Sequence, residues 1–229
     1  MMSVAEIEVE RQLGLLKKEG VSEGPVVVCV GDSITYGYAA GGPRGGTWGD
    51  LGSRAAGWRA VNLGMNGDTA GGMLARAQTL PVSASIAALA LQGGGNDLMM
   101  GIAPAAVCDT LCELARFACS RAIEPIVCLS PCATPQRVRR FGAYLPFYAD
   151  ADAFDAARRA LNALLRGAAA ENGWICADFA PALCLPDGTA DRDCYADTMH
   201  PNAEGHRRMA AVFAQALRQT AGGRRRDAR

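Results

Sequence analysis

The run Val26-Val27-Val28-Cys29-Val30 constrains the fold of this chain more than any other stretch. Five consecutive apolar residues, four of them valine, have the length and β-branched stiffness of a strand buried on both faces. A strand without a polar face needs cover on both sides, which a parallel sheet flanked by helices supplies. The run halts at Gly31-Asp32-Ser33, so a hydroxyl stands where a central strand ends. In open α/β sheets that edge is where ligands bind.

Four more short runs follow in the same manner. Arg59–Leu63, Ile86–Leu91, Pro125–Leu129 and Trp174–Ala177 read as strands two to five. Between and around them lie helical patterns. Residues 3–19 form one helix, with capping-box spacing at Ser3 and Glu6 and Gly20 to close it. Short helices are expected from about Trp48 to Ala56, and from an Asp68 or Thr69 cap to about Leu80. Pro104 opens a helix with Val107, Leu111, Leu114 and Ala118 on one face. A later helix carries the stripe Phe154, Ala157, Leu161, Leu164 and Ala168, and the last begins near Pro201-Asn202 with Met209, Val212, Phe213 and Ala216 inward. Strands alternating with helices mean an α/β protein with a parallel sheet and right-handed crossovers. No repeat or linker interrupts the pattern, so residues 1–222 read as one domain and 223–229 as a basic, disordered tail.

Composition removes several partner classes. With half of 229 residues apolar, a fifth charged and a formal net charge of zero, there is no footprint for nucleic acid or an acidic membrane surface. The nine cysteines are odd in number and contain no C-x-x-C pair, which reads as small buried hydrophobes in a reducing compartment. Glu6, Glu8 and Glu10 interrupt any signal-peptide core, and no apolar run reaches membrane-spanning length. The expectation is a soluble, cytoplasmic protein.

Polar signatures follow the strand ends: Ser33 after the first, Gly67 after the second, Asn96 after the third, Asp197 and His200 after the fifth. The carboxyl ends of a doubly wound sheet share one edge, so these residues converge there. At this point the sequence resembles the SGNH (GDSL) hydrolase family. The four signatures are Gly31-Asp32-Ser33-Ile34, with Ile where many members have Leu, then Asn66-Gly67-Asp68-Thr69, Gly95-Asn96-Asp97 and Asp197-Thr198-Met199-His200-Pro201-Asn202. They occur in the family's order and span nearly the whole chain. The resemblance implies a flavodoxin-like, three-layer α/β/α sandwich with strand order 2-1-3-4-5, and hydrolysis of esters or thioesters by a Ser-His-Asp triad.

The residues support that assignment on their own chemistry. A serine hydroxyl needs a positioned base, and the chain holds two histidines. His200 lies in a loop three residues after Asp197, which can accept from Nδ1–H and leave Nε2 free to take the Ser33 proton. His206 reads as an exposed residue of the last helix. Negative charge developing on the attacked carbonyl needs donors already in place; the backbone N–H of Ser33 and of Gly67 and the side-chain amide of Asn96 can supply them, with Gly64 a rival to Gly67. Asp32, Asp68 and Asp97 read as structural carboxylates that cap turns.

No metal site or cofactor motif is expected. The expected partner is a small ester or thioester. Candidate substrate contacts are Tyr36, Trp48 at the glycine-rich loop 39–49, and Tyr144 and Phe147 in the irregular segment 131–149. That segment is either a lid over the acyl group or a packed surface loop, and Arg137, Arg139 and Arg140 offer an anion site. The functional expectation is a serine esterase working through an acyl-enzyme. A carbohydrate acetylesterase or lysophospholipase on the same core, and a catalytically inactive flavodoxin-like binding module, are the alternatives.

Overall fold

The apolar runs do become strands, and their order sets the position of the site. The computed structural model describes residues 2–20, 23–43, 46–81, 86–131 and 147–220. Strands β1 (Val26–Gly31), β2 (Arg59–Gly64), β3 (Ile86–Gln92), β4 (Glu124–Leu129) and β5 (Ile175–Asp178) form a parallel sheet of order β2-β1-β3-β4-β5. The helices are α1 (Val4–Lys18), α2 (Ser33–Tyr36), α3 (Trp48–Ala55), α4 (Ala70–Gln78), α5 (Gly95–Met99), α6 (Pro104–Ser120), α7 (Ala151–Asn172) and α8 (Ala203–Gln219).

Alternation along β1 feeds two cores. Val26, Val28 and Val30 pack with residues of α1, α4, α6 and α7, while Val27 and Cys29 pack with Trp48 of α3 and Met209 and Phe213 of α8. This is the three-layer arrangement expected, and it explains why every residue of β1 is buried. Each valine so buried contributes about 1.5–3 kcal/mol of transfer free energy.

Local chemistry sets the helix ends. Ser3 and Glu6 make the reciprocal capping box on α1. Thr69, not Asp68, caps α4 by accepting from the Gly72 N–H, and Asp68 pairs instead with Arg76 at 2.5 Å. Asn202 caps α8 through the Gly205 N–H.

Three expectations are corrected. The buried stripe of α7 runs through Phe154, Leu161, Leu165 and Ala169, and Leu164 is 43% exposed. The 3.6-residue period tolerates a stripe drawn one residue off, and the polar pair Arg158 and Asn162, both buried and both bonded to the Ser130 carbonyl, disguised the inner face. Trp48 is fully buried against Phe179 and Phe213, so it is a core residue and not a substrate contact. His206 is 1% exposed, and its Nδ1 accepts the Trp48 backbone N–H at 3.1 Å. Burial, with the neighbouring His200 charge, pushes its pKa down to about 4.

Candidate active site

β1 ends at Gly31 because nothing larger fits there. A Cβ at Gly31 would stand 2.1 Å from Thr35 Oγ1 and 2.4 Å from the Gln92 carbonyl. The chain therefore turns straight into α2, with Asp32 accepting the Ile34 N–H at 2.9 Å as its cap and Ser33 as its first residue. β1 and β3 are neighbours whose connections run to opposite sides of the sheet, so Ser33 stands at the topological switch point.

The loop after β5 is folded by its own contacts. Short 3-10 turns at Pro181–Leu183 and Arg192–Cys194, a bridge between Tyr195 and Pro201, and a bond from the Ala196 N–H to the His200 carbonyl close it tightly. Asp197 Oδ1 accepts the backbone N–H groups of Met199 and His200, both at 2.8 Å, which leaves Oδ2 for the His200 ring Nδ1 at 2.7 Å. A carboxylate accepts only, so Nδ1 carries the proton and Nε2 presents its lone pair. Ser33 Oγ donates to that Nε2 at 2.9 Å, across 167 residues of sequence. Burial alone would raise the Asp197 carboxyl, but these hydrogen bonds from Met199 and His200 outweigh it and hold the group below the usual carboxylate range.

Gly67 and Asn96 face the same space. Gly67 has a left-handed φ of 76°, and a Cβ there would meet nothing within 4 Å, so the turn and not crowding calls for glycine. Asn96 Nδ2 donates one of its two N–H groups to the Asp68 carbonyl at 2.7 Å, which orients the amide. Gly64 drops out as the rival donor. Its N–H is engaged by Asn62 Oδ1 at 2.8 Å, and its Cα lies against the backbone of Thr35 and Tyr36. Asp97 accepts the Ala70 N–H and so ties α5 to α4. Burial raises the carboxyls of Asp32, to about 7, and of Asp97, with neighbouring carboxylates adding to the effect.

These residues surround a cavity of about 290 Å³ lined by Ser33, Gly67, Asn96 and His200 together with Ile34, Tyr38, Asn66, Met99 and Met199. Four of those, Tyr38, Met99, Met199 and Ile34, were not singled out as substrate contacts from the sequence. Ile34 and Met199 carry a hint, the first following Ser33 and the second lying between Asp197 and His200; Met99 reaches the cavity from one helical turn beyond Asn96. Tyr38 packs its ring on His200 with centroids 4.7 Å apart. Tyr36 points elsewhere, into a second cavity beside Pro43, Gly64 and Met65. Phe147 is 63% exposed, is not among the residues lining the cavity, and rests on Gly101. Tyr144, Arg137, Arg139 and Arg140, most of the segment 131–149 and the basic tail lie outside the described residues. Among the described residues no cluster of metal-ligating side chains occurs, and no helix is long and apolar enough to cross a membrane.

Known proteins resemble this chain in sequence pattern and in fold. The model of the GDSL-like Lipase/Acylhydrolase family matches residues 29–208. Among solved structures, a member of the lipolytic protein G-D-S-L family from Veillonella parvula is 24% identical and covers 86% of this chain and 100% of its own, with a TM-score of 0.68. The lipase/acylhydrolase from Enterococcus faecalis is 21% identical over 84% of this chain and 95% of its own, with a TM-score of 0.67. A carbohydrate acetylesterase family member from Sinorhizobium meliloti is 18% identical over 85% of this chain and 97% of its own, with a TM-score of 0.66. At such identities the likeness is one of fold. No curated protein matches the chain.

Proposed function

The chain belongs to the GDSL-like lipase/acylhydrolase family and is a hydrolase acting on esters; from that premise we propose that it is a serine esterase in which Ser33, His200 and Asp197 act as a triad. The hydrogen-bonded line from Ser33 Oγ through His200 to Asp197 carries this reading. His200 takes the Ser33 proton as the hydroxyl attacks the ester carbonyl, and Asp197 holds the tautomer and stabilises the imidazolium that forms. Charge on the carbonyl oxygen is met by the backbone N–H of Ser33, the backbone N–H of Gly67 and the remaining N–H of Asn96. His200 then gives its proton to the leaving alcohol, and water returns the acyl-enzyme to the free hydroxyl by the same steps in reverse.

The cavity argues for an uncharged carboxylic ester with an apolar acyl group. Ile34, Met99 and Met199 offer it packing surface, and among the described residues no lysine or arginine lines the space. A reducing, cytoplasmic setting belongs to the same proposal, since the eight cysteines among the described residues are free thiols.

The deciding experiment is hydrolysis of p-nitrophenyl esters by the purified protein, together with covalent labelling by a fluorophosphonate. Both activities are expected in the wild type and neither in Ser33→Ala. Labelling that survives in Ser33→Ala, or maps to another serine, removes Ser33 from the mechanism.

A further inference from the structure

Ser33 and Gly67 belong to different connections, one following β1 and the other β2. The sheet ladder stops at the pair Gly31 and Gly64, short of both residues. Beyond the ladder the Met65 N–H still reaches the Gly31 carbonyl at 2.9 Å, and Arg76, paired with Asp68, donates to the same carbonyl at 3.3 Å. Another side chain ties the loop to α2 itself. Asn62, buried in β2, donates from Nδ2 to the Thr35 carbonyl of α2 at 2.7 Å and to the Pro43 carbonyl at 3.3 Å. Its Oδ1 accepts the Gly64 N–H at 2.8 Å, where the loop bearing Gly67 begins. One amide thus bonds the helix that carries Ser33 and the loop that carries Gly67.

Asn62 is itself held from outside the sheet. β2 is an edge strand, and the backbone groups that an edge leaves free are ordinarily open to solvent. Here the Asn62 N–H donates to Gln12 Oε1 and the Asn62 carbonyl accepts from Gln12 Nε2, both at 2.8 Å. The Gln12 amide, buried under α1, does what a residue of a neighbouring strand would do. Glu8, one turn earlier on α1, accepts from the same Nε2 at 2.7 Å and orients it. α1 lies before residue 29, outside the stretch matched by the family model.

We propose that Asn62 is a positioning residue that sets Ser33 against the Gly67 N–H, and that α1 serves the reaction by clamping Asn62 through Gln12. This rests on the triad reading above. Loosening the Asn62 bridge lets nucleophile and oxyanion donor drift apart, and a displacement near 1 Å costs up to roughly 10²-fold in rate. Ground-state binding of the ester also draws on Met99 and Met199, which lie on other elements than the α2 that Asn62 bonds, so kcat falls more than KM changes.

The test is steady-state kinetics on p-nitrophenyl acetate with the full chain, well below each variant's Tm. Asn62→Ala and Asn62→Asp are expected to lose roughly 10–100-fold in kcat. Asn62→Asp keeps the acceptor for Gly64 but sets an oxygen against the Thr35 and Pro43 carbonyls. Gln12→Ala is expected to lose about 3–10-fold in kcat with KM changed by less than about twofold. Val9→Ala is the control for destabilisation alone: Val9 is a buried α1 residue without a bond to Asn62, so its Tm falls and its kcat holds. Should the Asn62 variants fail to fold, Gln12→Ala against Val9→Ala decides. Wild-type kcat in Gln12→Ala, or an equal kcat loss in Val9→Ala, overturns the proposal. Turnover persisting in Ser33→Ala would instead bring down the triad reading, and the positioning role with it.

Discussion

His200 and His206 are six residues apart and chemically opposite. His200 sits in a closed loop at the cavity wall, with Nδ1 against a carboxylate and Nε2 facing a hydroxyl. His206 sits one turn into α8, in the core, with Nδ1 accepting a backbone N–H. The first therefore carries its proton on Nδ1 and the second, when neutral, on Nε2. Position decides the tautomer, and the tautomer decides whether the ring accepts from the Ser33 hydroxyl through Nε2 or from a helix N–H through Nδ1. The His206 bond meets the first N–H of α3, which is one of the four that every helix start leaves without an internal partner.

The largest expected difference between them is in turnover. His200→Ala should lower kcat by roughly 10⁴-fold or more with little change in Tm. His206→Ala should do the reverse: activity per folded molecule persists, while stability drops by roughly 2–4 kcal/mol from the cavity and the orphaned Trp48 N–H. Ester assays and thermal melts on the two variants check this, and matching activity losses would erase the distinction.

Asn96→Ala sharpens the comparison by removing a donor without touching either ring. It should cost roughly 10²–10³-fold in kcat with a smaller effect on KM, because the oxyanion forms only after attack. A pure KM effect would make Asn96 a ground-state contact.

The pH dependence of stability separates the buried ring from its surroundings. His206, pushed down to about 4, folds in the neutral form; its contribution is complete above pH 6.5 and is lost as pH falls through about 4. Asp32, pushed up to about 7, folds protonated; its contribution is complete below about pH 4 and is lost as pH rises through about 7. The two oppose each other in one window, each on the order of 3 kcal/mol. Relative to the wild type, His206→Gln should gain stability on acidification from pH 7 to 4, and Asp32→Asn should lose it. Denaturant melts across that range give the two difference curves, and curves of the same sign would refute the pairing.

The smallest effect belongs to Tyr38, whose ring packs on His200. Tyr38→Leu should keep the cavity wall apolar and lower kcat/KM by about 2–10-fold, as an aromatic contact worth about 0.5–1.5 kcal/mol allows. A profile unchanged across p-nitrophenyl esters of different chain length would limit Tyr38 to a bystander.

Much of this molecule is legible in its sequence. Runs of β-branched residues ending in glycine and polar residues announce buried parallel strands, since a strand covered on both faces has no polar face to show. Ser33, Gly67, Asn96, Asp197 and His200 stood out because each follows a strand end and because the family's four signatures occur in order. Ser3 and Glu6, or Asn202 before α8, are local devices whose partners lie within three residues. Interactions of that range are written in neighbouring letters.

What the tertiary structure decided is every property set by partners distant in sequence. Trp48 looked like a loop aromatic and is core, because Phe179 and Phe213 close over it from residues far along the chain. His206 looked exposed for the same reason: Arg207 and Arg208 follow it, but α3 packs on its face. Tyr36 and Tyr38, two residues apart, go to different cavities because α2 ends between them at Gly37, in the left-handed conformation. Gln12 and Asn62 are unremarkable polar residues in sequence, and only the packing of α1 on the edge of β2 turns them into a clamp. Sequence pattern encodes periodicity and local turns; it does not encode which surface each side chain meets once the chain has closed on itself.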